Sequence, residues 1–391
     1  MKNKVYVLGA GVNKILHYIG NNKCYSAPVN NDFFKILFGI DFDRSILTKY
    51  YDDHCRLLND YIFDNWGKNK QQLITDGLNL EELYTKIQDH RIEAESKGKD
   101  EELERLNYVY TSINKLFYAV LNLFKMPLYY SDAFLKFGRL LYKEQPTIIT
   151  FNYDNFVERS IEVASGEIQN SDPFGFKWNW NKALAYGIKF DEIVYGNKKR
   201  NNIRLSGEKF YSNNKLYDWS ILKLHGSVNW WEYIEDSPFP PLSSNQTLLH
   251  KAYSDKKDKI LLHDRDVLVQ FPFNTHDQLT INPIIVAPLV QKTFYSHNNK
   301  ISEKFNILWS KAKEELKICD SLVIVGYSFP EADERTKDLF RNSFSNNKTP
   351  KEILVVNPNK DVKERVKKLC PHKYVTQLNN LEEYLKNFPS M

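Results

Sequence analysis

The sequence predicts an α/β protein, built on a doubly wound parallel β-sheet with a large helical insertion. The first observation is that short apolar runs rich in β-branched residues recur along the chain, as is typical of strands buried on both faces. These runs cover residues 5–8, 147–150, 221–224, 284–287, 322–325 and 353–356. We therefore expect six strands in one parallel sheet.

The second observation is that most of these runs end in a cluster of small or polar residues. The clusters are Gly9-Ala10-Gly11, Asn152-Tyr153-Asp154, His225-Gly226-Ser227, Gly326-Tyr327-Ser328 and Asn357-Pro358-Asn359. Ligands of doubly wound sheets bind beyond the carboxyl ends of the strands. We therefore predict that the five clusters line one crevice.

The third observation is the length of chain between the first two strands, which far exceeds a single crossover helix. We predict a helical insertion over residues 30–129, with its clearest helix at about 100–124, where apolar residues repeat at three- and four-residue steps. The remaining residues, 1–29 and 130–391, form the predicted core. A stretch at about 165–218, rich in Asn, Lys and aromatic residues, is predicted to be an irregular lid or a packing surface.

Composition limits the function classes. Of 391 residues, 42% are hydrophobic and 26% charged, and the net charge of +5 is too small to indicate direct nucleic-acid binding. No apolar run suits a membrane span and the N-terminus lacks a secretory signal, so we expect a soluble cytoplasmic protein. The four cysteines include no Cys-x-x-Cys pair, so the sequence offers no cysteine zinc knuckle.

Gly9-Ala10-Gly11 follows the first strand and precedes a helical-looking stretch at 12–19. This Rossmann-like arrangement brings backbone N–H groups and a helix N-terminus to a pyrophosphate. Lys14 occupies the position of the third small residue, so a plain strand-to-helix turn is an equal alternative.

Two further clusters carry groups that could act on a ligand. Thr150, Asn152 and Asp154 place a hydroxyl, an amide and a carboxylate at one strand end, although Asn152 or Asp154 could simply cap the following helix. His225 stands at another strand end, and a lone histidine is more often structural than catalytic.

In this order, the motifs resemble those of the sirtuin family, and specifically its zinc-free bacterial branch. The resemblance implies that one NAD molecule binds along the crevice. It places Gly9, Ala10 and Gly11 at the diphosphate, with Gly326 and Ser328 close by and Asn357 at the adenosine end. It implies that Asn152 and Asp154 hold the nicotinamide ribose, supported by Thr150, and that His225 stands near the ribose hydroxyls or the nucleophile.

The resemblance also assigns residues 27–34, with Asp32 and Phe33, to a loop that closes over the dinucleotide. The alternative is a helix start capped by Asn31 or Asp32.

The chemistry requires such groups, because the bond between ribose and nicotinamide breaks through a cationic, oxocarbenium-like state. An amide and a carboxylate placed in advance can stabilise that charge. A histidine with an ordinary pKa of ~6.5 can take a proton from water or from a ribose hydroxyl near neutral pH.

The chain departs from protein-deacetylating sirtuins, which carry four zinc-binding cysteines between the His-Gly and Gly-x-Ser motifs. Here that interval contains only Cys319, so we expect no zinc and no deacetylation, with water as the acceptor. The expected activity is NAD hydrolysis; a regulatory module that binds NAD or ADP-ribose without cleaving it, and a protein ADP-ribosyltransferase, are the alternatives. By resemblance, we expect an oligomeric effector of anti-phage defence with a separate partner such as a HerA-type ATPase.

Overall fold

The structure is a computed structural model of the full chain. It describes residues 3–20, 23–29, 32–39, 46–167, 180–195, 203–233, 259–263, 281–286, 299–330, 333–344, 350, 352–371 and 373–388.

The core is a six-stranded parallel sheet, which confirms the predicted fold class. Its strands are β1 (Lys4–Leu8), β4 (Thr147–Thr150), β7 (Ile221–Lys223), β11 (Ser321–Val325), β12 (Glu352–Val356) and β13 (Tyr374–Leu378). They lie in the order β13-β12-β11-β1-β4-β7, which is the strand order of dinucleotide-binding α/β folds. The chain leaves β1 toward one side of the sheet and returns to the other at β11, so the switch point lies between these two strands.

The helices that flank this sheet are α7 (Asp132–Glu144), α8 (Phe156–Glu167), α11 (Asn299–Ile318), α12 (Glu334–Phe344), α13 (Lys360–Leu369) and α14 (Leu381–Leu385). Helix α7 begins at an N-cap, because the Ser131 hydroxyl accepts from the Phe134 N–H. It ends at Gln145, whose φ of 49° is left-handed, and the chain then enters β4.

The segment between β1 and β4 is mainly helical. It contains α1 (Phe33–Gly39), α2 (Ile46–Trp66), α3 (Lys70–Thr75), α4 (Leu80–Ser96), α5 (Asp100–Asn122) and α6 (Lys125–Leu128). The Asn79 side chain caps α4. Three acidic residues in the first turn of α5 stabilise that helix, because they interact with the positive N-terminal end of its dipole. Helix α5 coincides with the helix predicted at about 100–124.

The prediction that 284–287 forms a strand of the parallel sheet is wrong. Ile284 belongs to β10 (Ile281–Ile285), which pairs antiparallel with β8 (Gly226–Tyr233) in a second sheet; Ala287 lies outside the described residues. A short apolar run fits either kind of strand equally well. The sixth parallel strand is instead β13, which lies at the sheet edge. It contains Thr376 and Gln377 and therefore lacks the continuous apolar run from which the other strands were predicted.

The second sheet has five strands in the order β10-β8-β9-β5-β6, completed by β9 (Ile260–His263), β5 (Glu192–Tyr195) and β6 (Ile203–Ser206). The stretch at about 165–218 is therefore not irregular throughout. It supplies β5 and β6, together with α9 (Lys182–Ala185) and α10 (Gly207–Ser212), while residues 168–179 and 196–202 lie outside the described part.

The expectation of a helix over 12–19 is also wrong. A 3₁₀ helix covers Ala10–Ile15, and His17–Gly20 forms β2, paired antiparallel with β3 (Lys23–Ser26). The helical turn ends at Leu16, which is extended and whose carbonyl accepts from the Ala27 N–H. Among the described residues, no helix combines the length and apolar character that crossing a bilayer requires.

Candidate functional site

Backbone hydrogen bonds join the carboxyl ends of the parallel strands. In each, the residue that follows a strand donates its N–H to the last carbonyl of a neighbouring strand, at 2.9–3.0 Å. The bonds run from Gly9 to Val325, from Phe151 to Leu8, from Leu224 to Thr150, from Gly326 to Val356 and from Asn357 to Leu378. The five polar clusters therefore begin at one level along this edge of the sheet.

The two loops at the switch point approach each other so closely that only glycine fits. An ideal Cβ on Gly9 would lie 2.5 Å from the Tyr327 Cα, and one on Gly326 would lie 2.1 Å from the Val12 nitrogen. Gly326 also has a φ of 65°, a left-handed value that disfavours side chains. The close approach leaves bare backbone facing the space above the sheet.

That space is a cavity of about 520 Å³. Its lining includes members of all five predicted clusters: Gly9, Ala10, Gly11, Asn152, Tyr153, Asp154, His225, Gly326, Tyr327, Ser328, Asn357 and Pro358. The sheet thus brings together groups that are more than three hundred residues apart in the sequence.

Asn152 carries the least satisfied side chain of the site. Its backbone N–H donates to the Thr150 hydroxyl at 3.1 Å, which fixes the turn after β4. Its side chain is 5% exposed, and both the amide nitrogen and the amide oxygen are buried without a hydrogen-bond partner. A buried amide without partners costs free energy, so its place on the cavity wall indicates a group awaiting a ligand.

Asp154 is held from three directions. Its carboxylate accepts from the Asn13 amide at 2.7 Å and from the Phe156 N–H at 3.0 Å, while its carbonyl accepts from the Lys223 ammonium. Burial raises the pKa of this carboxyl, and the nearby Lys223 charge opposes the increase. The bond to Phe156 bears out the helix-cap alternative without removing Asp154 from the cavity wall.

A buried polar network supports the floor of the cavity. Lys223 in β7 forms an ion pair of 3.0 Å with Glu158 in α8, and neither side chain is more than 2% exposed. Glu158 also accepts from the Tyr186 hydroxyl at 2.9 Å, which in turn accepts from the Asn229 amide at 3.3 Å. The network therefore ties the strand before His225 to the helix after Asp154.

His225 is buried among aromatic rings and faces a carboxylate. Its ring centroid lies 5.1 Å from that of Phe151 and 6.0 Å from that of Tyr153. Its Nε2 lies 3.8 Å from an oxygen of Asp333, which accepts from the Tyr327 hydroxyl at 2.5 Å. Sequence reasoning missed Asp333, because the segment after Pro330 gives no motif signal.

The segment predicted to close over a dinucleotide lies beside the cavity. Phe33 lines the cavity and begins α1, whereas Asp32 forms an ion pair of 2.5 Å with the cavity residue Lys14. The Asp32 carbonyl accepts the first helical bond, from Ile36, so Asp32 occupies a cap position. Asn31 lies outside the described residues.

Besides Asp333, two further parts of the wall were not predicted. The helical insertion contributes Leu80, Glu81, Phe117 and Leu121, and the turn between β13 and α14 contributes Asn379, Asn380 and Leu381. The second part has a local signal, since Asn380 caps α14 by accepting from the Glu383 N–H at 2.8 Å. The first has none, because helix periodicity does not reveal which surface the helix covers.

Within the described part of the chain, no three His, Cys, Asp or Glu side chains converge as metal ligands would. The expected absence of zinc stays a prediction.

Fold and cavity together define an α/β protein with a ligand site at the switch point of a parallel sheet. The family model of the SIR2-like domain matches residues 146–378, which is more than half of the chain. The chain belongs to this SIR2-like family.

No curated protein sequence matches the chain. Two solved structures align with 98% of it at 11% sequence identity. One is a crystal structure of a SIR2 homolog in complex with NAD, with a TM-score of 0.38 and 86% of that chain covered. The other is Sir2 in complex with the inhibitor EX-527, 2′-O-acetyl-ADP-ribose and a deacetylated p53 peptide, with a TM-score of 0.34 and 91% covered.

Proposed function

We propose that this protein is an NAD glycohydrolase, which cleaves NAD to nicotinamide and ADP-ribose. The observation that carries the proposal is the Asn152 amide, buried without a partner on the wall of the cavity that also exposes Asp154 and His225. Membership of the SIR2-like family supports NAD as the ligand.

The cavity suits a dinucleotide in size and in lining. Its volume of about 520 Å³ lies within the range of small-molecule sites. The backbone N–H groups around Gly9 and Gly11 would hold the diphosphate. A side chain at either glycine would collide with the loop after β11, so the backbone there carries no side chain that could cover it. Gly326 and Ser328 would lie close to the diphosphate, and Asn357 would contact the adenosine end.

In the proposed reaction, the bond between the ribose C1′ and the pyridinium nitrogen breaks, and its electron pair leaves with neutral nicotinamide. The oxygen of a water molecule bonds to C1′ and loses one proton. Asn152 and Asp154 stabilise the positive charge that develops on the ribose, and Thr150 fixes the turn that carries Asn152. Asp32 and Phe33 are proposed to close the site.

His225 is proposed to receive the proton from water or from a ribose hydroxyl and to release it to solvent. The surrounding Phe151 and Tyr153 rings limit the directions from which a proton can arrive. An imidazole is a common general base in reactions near neutral pH.

The first test is NAD turnover by the purified full chain, followed by chromatography of nicotinamide and ADP-ribose. We expect Asn152→Ala to lower turnover by ~10²–10³-fold, the usual effect of removing a group that stabilises transition-state charge. His225→Ala should abolish turnover, because the proposed proton acceptor is lost. The matched control is Asn213→Ala, an exposed asparagine at the end of α10, which should keep wild-type turnover.

The outcomes separate the alternatives. Turnover that survives in both site variants contradicts the proposal. A thermal shift with NAD but no nicotinamide release, even with the partner present, favours a binding module. Label from NAD that ends on protein rather than in free ADP-ribose favours protein ADP-ribosylation.

For the cellular role, we propose depletion of NAD in anti-phage defence by an oligomer of this chain in the cytoplasm, acting with a partner such as a HerA-type ATPase. The resemblance of the ordered motifs supports this extension. In infected cells that express the chain with its partner, NAD should fall with wild type and stay constant with Asn152→Ala.

A further inference from the structure

Asp333 is a buried carboxylate that the proposed reaction has not yet used. It lies between β11 and α12, is 3% exposed, and lines the cavity. One oxygen accepts from the Thr336 N–H at 3.2 Å, as in a helix cap, and the other accepts from the Tyr327 hydroxyl at 2.5 Å.

The second oxygen also faces the catalytic candidate. It lies 3.8 Å from the His225 Nε2, within ion-pair distance of a protonated imidazole. Helix capping alone needs only the first oxygen, and Asn or Ser would cap equally well. A carboxylate at this distance from the ring nitrogen suits an imidazole that becomes charged.

The Tyr327 ring holds the carboxylate in this direction. It stacks on Phe151 with a centroid distance of 4.3 Å and meets Phe329 edge-on at 4.7 Å. Phe151 in turn contacts the His225 ring. The imidazole, the hydroxyl and the carboxylate are thus fixed by one aromatic cluster.

We propose that Asp333 is a positioning residue that acts through His225: it orients the imidazole and stabilises its protonated form. The inference rests on the proposed function, in which His225 accepts a proton. An opposite charge within ~4–6 Å favours the charged form of a titrating group. The proton that leaves water or the ribose hydroxyl would then remain on His225 until it passes to solvent.

Other groups also face His225 or share its cavity. Burial among the rings of Phe151, Tyr153 and Trp309 favours the neutral imidazole, and Arg335, which lies 4.2 Å above the Trp309 ring, acts in the same direction. Glu81 and Asp154 line the cavity and favour the charged form. Asp333 differs from these two in facing the ring nitrogen at ion-pair distance.

The test is the pKa of His225, measured by NMR titration of the full chain, with the His225 signal assigned from its loss in His225→Gln. Asp333→Asn removes the charge and keeps the capping oxygen, and should lower the pKa of His225 by about one unit. The control Asp338→Asn removes an exposed carboxylate from helix α12, which follows Asp333, and should leave that pKa unchanged.

Tyr327→Phe supplies a second variant with the opposite expected sign. It removes the hydroxyl that shares the Asp333 oxygen, so the carboxylate acts more strongly on the imidazole and the pKa of His225 should rise. An equal pKa of His225 in wild type and Asp333→Asn overturns the inference, as does a fall in Tyr327→Phe.

The pH dependence of kcat gives the catalytic readout. If His225 is the base, its acidic limb should move to lower pH in Asp333→Asn, following the lowered pKa. A purely structural role would lower kcat without moving the limb, and that outcome contradicts the inference. The NMR result needs no turnover, so a failure of the glycohydrolase proposal remains distinguishable from a failure of this one.

Discussion

Two buried polar regions lie on either side of the cavity floor and differ in how their hydrogen-bonding groups are satisfied. Beneath the floor, one ion pair and three hydrogen bonds form a continuous set that joins Lys223, Glu158, Tyr186, Asn229 and Ser227. At the surface of the cavity, the Asn152 side-chain amide has no hydrogen-bond partner, although Asn152 precedes Glu158 by only a few residues.

The difference indicates two roles for buried polarity. A satisfied network contributes rigidity, whereas an unsatisfied group costs stability in the free protein and recovers that cost when a ligand binds. We therefore expect substitutions beneath the floor to reduce folding stability, and substitutions at the cavity surface to reduce ligand binding and turnover.

The largest expected effect comes from Lys223→Met. Removing the ammonium leaves Glu158 buried without its cation and the Asp154 carbonyl without its donor. The free energy of unfolding should fall by about 3–5 kcal/mol, measured by urea denaturation. Lys215→Met breaks an exposed pair with Asp218 and serves as the control, with no measurable loss expected. Equal stability of the two variants would contradict a structural role for the network.

The next effect concerns the close approach of the two loops. Gly326→Ala combines a left-handed φ, at about 1–2 kcal/mol, with a steric overlap that costs about 1–3 kcal/mol more. Gly98→Ala is the matched control, because Gly98 has a similar φ of 61° in a turn with nothing within 4 Å of an added Cβ. The stability losses of both variants are measured by thermal denaturation, and the difference between them is the steric cost. An equal loss would show that the loops can separate without cost.

A pair of asparagines gives the most direct contrast. Asn229→Ala removes an acceptor for the Ser227 hydroxyl and a donor to the Tyr186 hydroxyl, so stability should fall by about 1–3 kcal/mol. Asn152→Ala removes a buried amide that has no partner, so stability should stay the same or increase. Urea denaturation measures both. A loss at Asn152 as large as at Asn229 would remove the distinction between the two regions.

The last expected effect depends on pH and concerns a buried carboxyl that has a cation nearby. Burial raises the pKa of Glu232 in β8 to about 7, while Arg91 in α4 partly opposes the increase. A raised carboxyl pKa means that the folded state binds the proton more tightly than the unfolded state. Stability that is present below pH ~4.5 should therefore be lost as pH rises to about 7.

Glu232→Gln should flatten this decline, as measured by urea denaturation at several pH values between 4.5 and 7. Identical slopes in wild type and variant would show that the carboxyl titrates normally.

The strand ends were predictable because parallel strands buried on both faces leave continuous apolar runs, as residues 5–8 and 322–325 do. Their carboxyl ends must meet at one edge, so Gly9, Asn152 and His225 could be grouped from sequence alone. β13 was missed because an edge strand is only partly buried, and 284–287 was misplaced because apolar character does not encode strand direction.

By itself, the sequence determined the parallel core and the polar clusters that end its strands, because hydrophobic periodicity and turn residues are local properties. Only the tertiary structure decided that Asp333 faces His225 and that the helical insertion closes one wall with Phe117 and Glu81. It also decided that the Asn152 amide lacks a partner. These facts depend on contacts between distant segments, whose distances and burial are set by packing.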